Sequence, residues 1–290
     1  MNRYFAESEL VINSDGSIFH LHLLPEQLAD KVILVGDPGR VSMVASHFDN
    51  NECEVSNREF HTITGTYQGK RITVLSTGIG CDNIDIVMNE LDALANIDFH
   101  TRTEKTTHRT LELVRVGTCG GLQPETPEGT YVASVKSIGF DGLLNFYAGR
   151  DEASDLSIED AFKKAVGWNL KMGNPYVATA CPELICRVAA DDMVRGITVA
   201  CGGFFGPQGR QLRLPLADPQ LNEKIESFNY NGLKVTNFEM ESSALAGLAT
   251  LMGHKAMTCC MVIANRRAKR METDYKGDID GLITKVLDRI

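Results

Sequence analysis

A chain of 290 residues is long enough to bury a sizeable core, as one large α/β domain or as two smaller ones. Its 43% hydrophobic and 23% charged content is ordinary for a soluble globular protein, and a formal net charge of -9 excludes a nucleic-acid-binding surface as its main business. No stretch approaches the ~20 apolar residues of a membrane span, and residues 1–13 carry Arg3, Glu7 and Glu9 in place of a signal peptide's apolar run. The eight cysteines show no C-x-x-C spacing and no His/Cys cluster that would hold zinc; their apolar neighbours predict buried, reduced thiols and a cytoplasmic protein.

In chain order, residues 17–24 alternate and predict a short strand or an ordered arm, with His20 by default a surface histidine. Residues 31–35, Lys-Val-Ile-Leu-Val, form the continuous apolar run of a central strand covered on both faces. The run ends in Gly-Asp-Pro-Gly-Arg at 36–40, and residues 41–48 predict a helix. Strand, glycine turn and helix is how α/β proteins present backbone N–H groups to an anion. The turn has neither the G-x-G-x-x-G of dinucleotide binders nor the G-K-[ST] of a P-loop. A second buried strand is predicted at 71–75, followed by Ser-Thr-Gly-Ile-Gly at 76–80 and a helix over about 84–95.

A polar stretch at 98–110 interrupts the pattern and reads as an exposed insertion. Residues 113–117, Leu-Val-Arg-Val-Gly, resume as a strand ending in Thr-Cys-Gly-Gly at 118–121. Arg115 within that strand is either the partner of a core carboxylate such as Glu239 or an anion ligand at the carboxyl end of the sheet, where open α/β sheets place their sites. Strands are predicted at 130–135, 197–200 and 256–264, a helical, surface-like region at 150–174 and a terminal helix at 281–290. The glycine-rich loop at 202–210 carries two aromatics, an amide and a guanidinium, groups that recognise ligands when a rigid scaffold holds them. Alternation of strands and helices along the whole length, with no repeat and no linker, predicts one domain over residues 1–290.

Residues 235–238 lead in as a buried strand, and an apolar helix runs on from Ser242 to Met252. Glu239 and Glu241 therefore stand at a strand-to-helix junction, beside Phe238 and Met240, where a carboxylate needs partners. One reading makes a glutamate a helix cap or the partner of a core arginine; the other makes it an acceptor for the hydroxyls of a polyol such as ribose.

Four motifs, at 36–40, 76–80, 115–121 (Arg-Val-Gly-Thr-Cys-Gly-Gly) and 237–242 (Asn-Phe-Glu-Met-Glu-Ser), in this order and spacing resemble the nucleoside phosphorylases of the uridine phosphorylase and hexameric purine nucleoside phosphorylase type. The resemblance covers about residues 19–266. It implies a three-layer α/β sandwich in which a central mixed, partly barrel-like β-sheet is flanked by helices. It also implies phosphorolysis, in which phosphate reaches the anomeric carbon while the base leaves, through a transition state with positive charge on the sugar.

On that resemblance, Gly36, Arg40, Arg58 and Arg115 hold phosphate and Thr118 hydrogen-bonds it. Arginine suits the task because its planar fork gives bidentate bonds to phosphate and never loses its charge. Glu241 accepts from the ribose hydroxyls, Met240 packs against the sugar, and His20 is donated across a dimer to the 5′-hydroxyl, while Glu239 supports the arginines. Arg58 lies in residues 56–60, which resemble a segment that reaches into a neighbouring subunit's site. A homodimer is thereby implied as the minimal active unit, with a homohexamer also open. Phosphate is a co-substrate and no cofactor is implied; the partners are small molecules, with no nucleic acid and no membrane. The bacterial pyrimidine enzymes bind a monovalent cation between subunits through Glu, Ile and Ser; here Glu59 and Ile79 match, and Asn83 stands in place of the serine.

Residues 204–210 resemble the uridine phosphorylase loop that contacts the base, through Phe204, Gln208 and Arg210, and Arg266 joins them. An amide carries both donor and acceptor, so Gln208 suits the adjacent ring N–H and carbonyl of uracil, and Arg210 suits a uracil carbonyl and the charge growing on the leaving base. Arg115, Glu241 and Arg210 are thus the expected catalytic groups. Purine enzymes of this type place an aspartate after the last strand; here residues 263–266 read Ile-Ala-Asn-Arg, and a basic run, solvated on this reading, follows at 267–270. Both features favour uracil nucleosides. The alternatives are a purine nucleoside phosphorylase and a nucleosidase that uses water. A binding protein without turnover is disfavoured by the intact set of site residues, and a nicotinamide oxidoreductase by the missing G-x-G-x-x-G.

Overall fold

The computed structural model describes residues 3–265, 270–271 and 276–290. Its strands are β1 (Lys31–Val35), β2 (Asn50–Asn57), β3 (Phe60–Tyr67), β4 (Lys70–Ser76), β5 (Ile97–Asp98), β6 (Thr103–Glu104), β7 (Glu112–Gly121), β8 (Tyr131–Gly139), β9 (Tyr176–Thr179), β10 (Val194–Ala200), β11 (Asn229–Tyr230), β12 (Leu233–Glu239), β13 (Lys255–Asn265) and β14 (Arg270–Met271). The helices are α1 (Pro38–Ala45), α2 (Cys81–Asn96), α3 (Leu156–Val166), α4 (Pro182–Leu184), α5 (Leu221–Ser227), α6 (Ser242–Met252) and α7 (Lys276–Arg289).

The apolar run of β1 is covered on both faces, as its sequence predicts. Val32 and Leu34 pack with residues of α2 and α6, while Ile33 and Val35 pack with those of α1 and α7. β1 pairs in parallel with β4 on one side and β7 on the other. Beyond β4 the sheet continues antiparallel through β3 to β2. The sequence reading missed both: β2 reads Asn-Asn-Glu-Cys-Glu-Val-Ser-Asn, a polar edge strand whose pairing comes entirely from β3.

On the other flank β7 pairs in parallel with β13, β13 antiparallel with β8, and β8 and β10 in parallel with β10 and β12 in turn. β12 then meets the end of β7, Asn237 opposite Gly121 and Phe238 opposite Gly120, which closes these strands into a ring. The sheet is therefore mixed and partly barrel-like, with helices on its outer faces.

Several boundaries differ from expectation for local reasons. α1 starts at Pro38 rather than 41, because the Asp37 side chain accepts from the Gly39 N–H as an N-cap and Pro38 supplies a ready first-turn φ. Residues 17–24 form turns and one isolated bridge, Ile12 to Ile18, so they are an ordered arm and not a strand. The polar stretch at 98–110 contains the β5–β6 hairpin, tied to the amino-terminal arm by Arg102, which donates to the carbonyls of Phe5 (2.9 Å) and Ala6 (3.2 Å). Within 150–174 only α3 is α-helical, and it is not simply surface: Ile158, Phe162 and Val166, four residues apart, are buried. Five cysteines are buried as expected, but Cys53 and Cys181 are half-buried and Cys186 is exposed. No described helix is long and apolar enough to cross a membrane.

Candidate active site

At the carboxyl ends of β1, β7, β12 and β13 lies a cavity of about 490 Å³, a volume suited to a small molecule. Gly36 and Arg40 reach it from the turn after β1, Arg115 and Thr118 from β7, and Met240 and Glu241 from the junction of β12 and α6. Phe204, Gln208 and Arg210 line it from the loop after β10. Ile79, Phe238, Ile263 and Ala264 line it as well, as do Asp37 and Cys119, to which the sequence reading gave no role. His20 and Arg58 do not line the cavity of their own chain, and Arg266 lies outside the described residues.

The junction separates the two glutamates. Glu239, two residues before the N-cap of α6, serves the donors at its start: its carboxylate accepts from the backbone N–H of Glu241 (2.9 Å) and Ser242 (3.0 Å) and from the Ser242 hydroxyl (2.6 Å). Glu241 turns to the cavity, where Oε1 accepts from the Gly80 N–H at 2.7 Å and Oε2 from Arg115 Nη2. Arg115 Nη1 stands 3.4 Å from Glu239 Oε2, so one guanidinium joins both carboxylates. All three side chains are buried. Burial pushes the Glu239 carboxyl above the usual carboxylate range; Arg115 works against this and Glu241 adds to it. Burial also opposes the charge on Arg115, but the two glutamates outweigh it and hold the guanidinium firmly protonated.

The backbone N–H that meets Glu241 belongs to Gly80, the N-cap of α2, whose φ of +101 is a conformation that other residues avoid. Further contacts fix the junction from the opposite side. Cys81 Sγ donates to the Met240 carbonyl at 3.1 Å, Ser243 Oγ donates to Asp141 at 2.9 Å, and Tyr176 donates to the same carboxylate at 2.9 Å. Burial, reinforced by Asp141, keeps the Tyr176 phenol protonated and so a donor. Sequence reasoning missed Asp141 and Tyr176, since nothing local marks residues that meet only through β8, β9 and α6.

Arg40 is buried and donates to the Val116 carbonyl at 3.3 Å. A Cβ on Gly36 would stand 3.9 Å from Arg115 Nη2, so the glycine turn, two guanidinium groups and the start of α1 share one end of the cavity. Positive charge, backbone donors and a helix N-terminus make that end suited to an anion. In the loop after β10, Arg210 donates to the Phe204 carbonyl at 2.7 Å and to Gln208 Oε1, and its guanidinium stacks on the Phe204 ring at 3.7 Å. Aromatic, amide and guanidinium thus form one preassembled wall.

His20 and Arg58 stand elsewhere on the surface. Arg58 is exposed at the β2–β3 turn with φ +55. His20 Nδ1 lies 2.7 Å from Glu90 Oε1. Near the Ser-Thr-Gly-Ile-Gly turn, a Cβ on Gly78 would meet Asn83 Nδ2 at 2.4 Å and Glu59 Cγ at 3.2 Å. Asn83, which stands where the bacterial pyrimidine enzymes carry the serine of their cation site, thus brings its amide to this corner. Among the described residues no group of three His, Cys, Asp or Glu side chains is placed to hold a metal ion.

Comparison with known proteins places the chain in a family. Residues 30–285 match the phosphorylase superfamily. The uridine phosphorylase of Thermococcus kodakarensis is 30% identical over 272 residues, covering 90% of this chain and 82% of the relative. A DeoD-type purine nucleoside phosphorylase of Alkaliphilus metalliredigens is 36% identical over 245 residues, covering 84% and 85%. Among solved structures, a Trypanosoma brucei nucleoside phosphorylase reported to show uridine phosphorylase activity superposes with a TM-score of 0.86 at 31% identity, covering 97% of this chain and 98% of that one. The chain belongs to the phosphorylase superfamily.

Proposed function

We propose that this protein is a uridine phosphorylase, a pentosyltransferase that cleaves the N-glycosidic bond of uridine-type nucleosides with phosphate to give free base and ribose 1-phosphate. One observation carries the reading: two arginines with a glycine turn, a carboxylate and the Phe204–Gln208–Arg210 wall line one cavity, the three kinds of group that phosphate, sugar and base require. Arg40, Arg115, Gly36 and Thr118 receive the phosphate. Glu241 and Met240 take the ribose, with the carboxylate accepting from sugar hydroxyls as positive charge grows at the anomeric carbon. Gln208 and Arg210 bind the uracil ring edge, and Arg210 stabilises the charge on the departing base.

His20 and Arg58 belong to this machinery only across a homodimer. Their exposed or half-buried positions away from their own cavity support that reading. We take the dimer as the minimal active unit, the chain as one domain and the cytoplasm as its location. Arg266, outside the described residues, is assigned to the base by the resemblance alone.

A purine nucleoside phosphorylase is the competing assignment, and the Alkaliphilus relative favours it. The chain carries Ile263, Ala264 and Asn265 where the purine enzymes carry their aspartate, which supports uracil instead. Offering uridine and inosine separately with phosphate distinguishes the two. Faster release of uracil than of hypoxanthine is expected; the reverse order would overturn the pyrimidine assignment.

A further inference from the structure

The amino-terminal arm presents one histidine, and a single carboxylate orders it. Glu90, on α2, accepts from the backbone N–H of His20 (2.9 Å to Oε1) and of Leu21 (2.8 Å to Oε2). The same Oε1 lies 2.7 Å from His20 Nδ1. Asn57 Nδ2 donates to the His20 carbonyl at 2.8 Å, so backbone and ring are both tethered. The Phe19 ring packs edge-on against the imidazole at 4.7 Å between centroids.

A carboxylate that already receives two backbone N–H groups is an acceptor, so the hydrogen in its contact with Nδ1 belongs to the ring. In a neutral imidazole with its proton on Nδ1, Nε2 is an acceptor. The His20 side chain is 31% exposed, which leaves part of the ring facing outward.

We propose that Glu90 is a positioning residue that fixes His20 as the Nδ1–H tautomer, so that Nε2 accepts a hydrogen bond from the 5′-hydroxyl of a nucleoside bound by the partner subunit. The inference rests on His20 as a ribose ligand. The specificity it confers is for a sugar with a hydrogen-bond donor at C5′, and 5′-deoxyuridine lacks that donor.

Glu90→Gln tests the tautomer directly. With the amide oxygen kept on the backbone donors, the amide nitrogen meets Nδ1, turns that atom into an acceptor and moves the proton to Nε2. Histidine-selective nitrogen-15 spectra at about pH 8, well above the ordinary histidine range, read the two ring nitrogens separately. The His20 signals are assigned by their loss in His20→Ala. The native enzyme is expected to show a pyridine-type Nε2, and Glu90→Gln a pyrrole-type Nε2.

Kinetics supply the second readout. The native preference for uridine over 5′-deoxyuridine in kcat/KM is expected to fall about tenfold in Glu90→Gln, the scale of one hydrogen bond, with the phosphate KM unchanged. The inference is overturned by a protonated Nε2 in the native enzyme, or by a preference that His20→Ala removes and Glu90→Gln leaves intact. A preference untouched by His20→Ala would instead remove His20 from the ribose site, and the inference with it.

Discussion

Arg115 Nη2 donates to Glu241 Oε2, so the residue expected to hold phosphate and the residue expected to hold ribose are bonded to each other across the cavity. Glu239 takes the other side of the same guanidinium at 3.4 Å. Two buried carboxylates share one guanidinium, and backbone N–H groups and the Ser242 hydroxyl supply them with further donors.

Removal of that guanidinium has two consequences that separate experimentally. Arg115→Ala is expected to lower kcat/KM for phosphate by roughly 100-fold or more, the scale of one lost electrostatic contact to the transition state. It also leaves Glu239 and Glu241 buried without their cation, a loss of about 3–5 kcal/mol in urea unfolding. Near-native phosphate kinetics in the folded fraction would assign Arg115 to the core alone.

Glu241→Ala addresses the sugar. If its contacts to the ribose hydroxyls strengthen as charge develops, kcat falls by about 2–4 kcal/mol of barrier. Steady-state kinetics with uridine measure this, and an unchanged kcat would make Glu241 a structural partner of Arg115 and Gly80.

The base wall predicts a different pattern. Gln208→Ala is expected to compress the ratio of kcat/KM for uridine over inosine by about tenfold or more, since a site built to hydrogen-bond a ring edge rejects the wrong ring strongly. Phosphate KM is expected to stay within about twofold, because Gln208 comes from the loop after β10 and not from the glycine turn or the arginines assigned to phosphate. A fall in phosphate affinity with the base ratio preserved would contradict the assignment.

Glu239 predicts a pH signature. Its folded pKa is raised, chiefly by burial, so the folded state binds its proton more tightly than the unfolded chain does. The favourable contribution is fully present below the unfolded value and is lost as pH rises through the raised folded value. Relative to Glu239→Gln, the native protein is therefore expected to lose unfolding free energy from about pH 4 upward, with parallel curves above the raised value. Parallel curves across the whole range would show that the carboxyl is not perturbed.

Parts of this arrangement were legible in the sequence because they depend on local pattern. The run at β1, covered on both faces, and the apolar length of α6 declare themselves through composition alone. β2 does not, since its residues are polar and its conformation comes from a partner strand. The ring closure rests on Asn237 and Phe238 meeting Gly121 and Gly120, a pairing between segments more than a hundred residues apart that no local rule anticipates. The glutamates show the same division. That a glutamate there would cap the helix, pair with a core arginine or accept from a polyol was readable at the junction, whereas their assignment to Ser242 on one hand and to Gly80 and the cavity on the other required the fold.

The most direct test is uracil release from uridine, followed with and without inorganic phosphate. Release is expected to require phosphate and to yield one ribose 1-phosphate for each uracil. Release at the same rate without phosphate, with free ribose as product, would contradict phosphorolysis and identify a hydrolase.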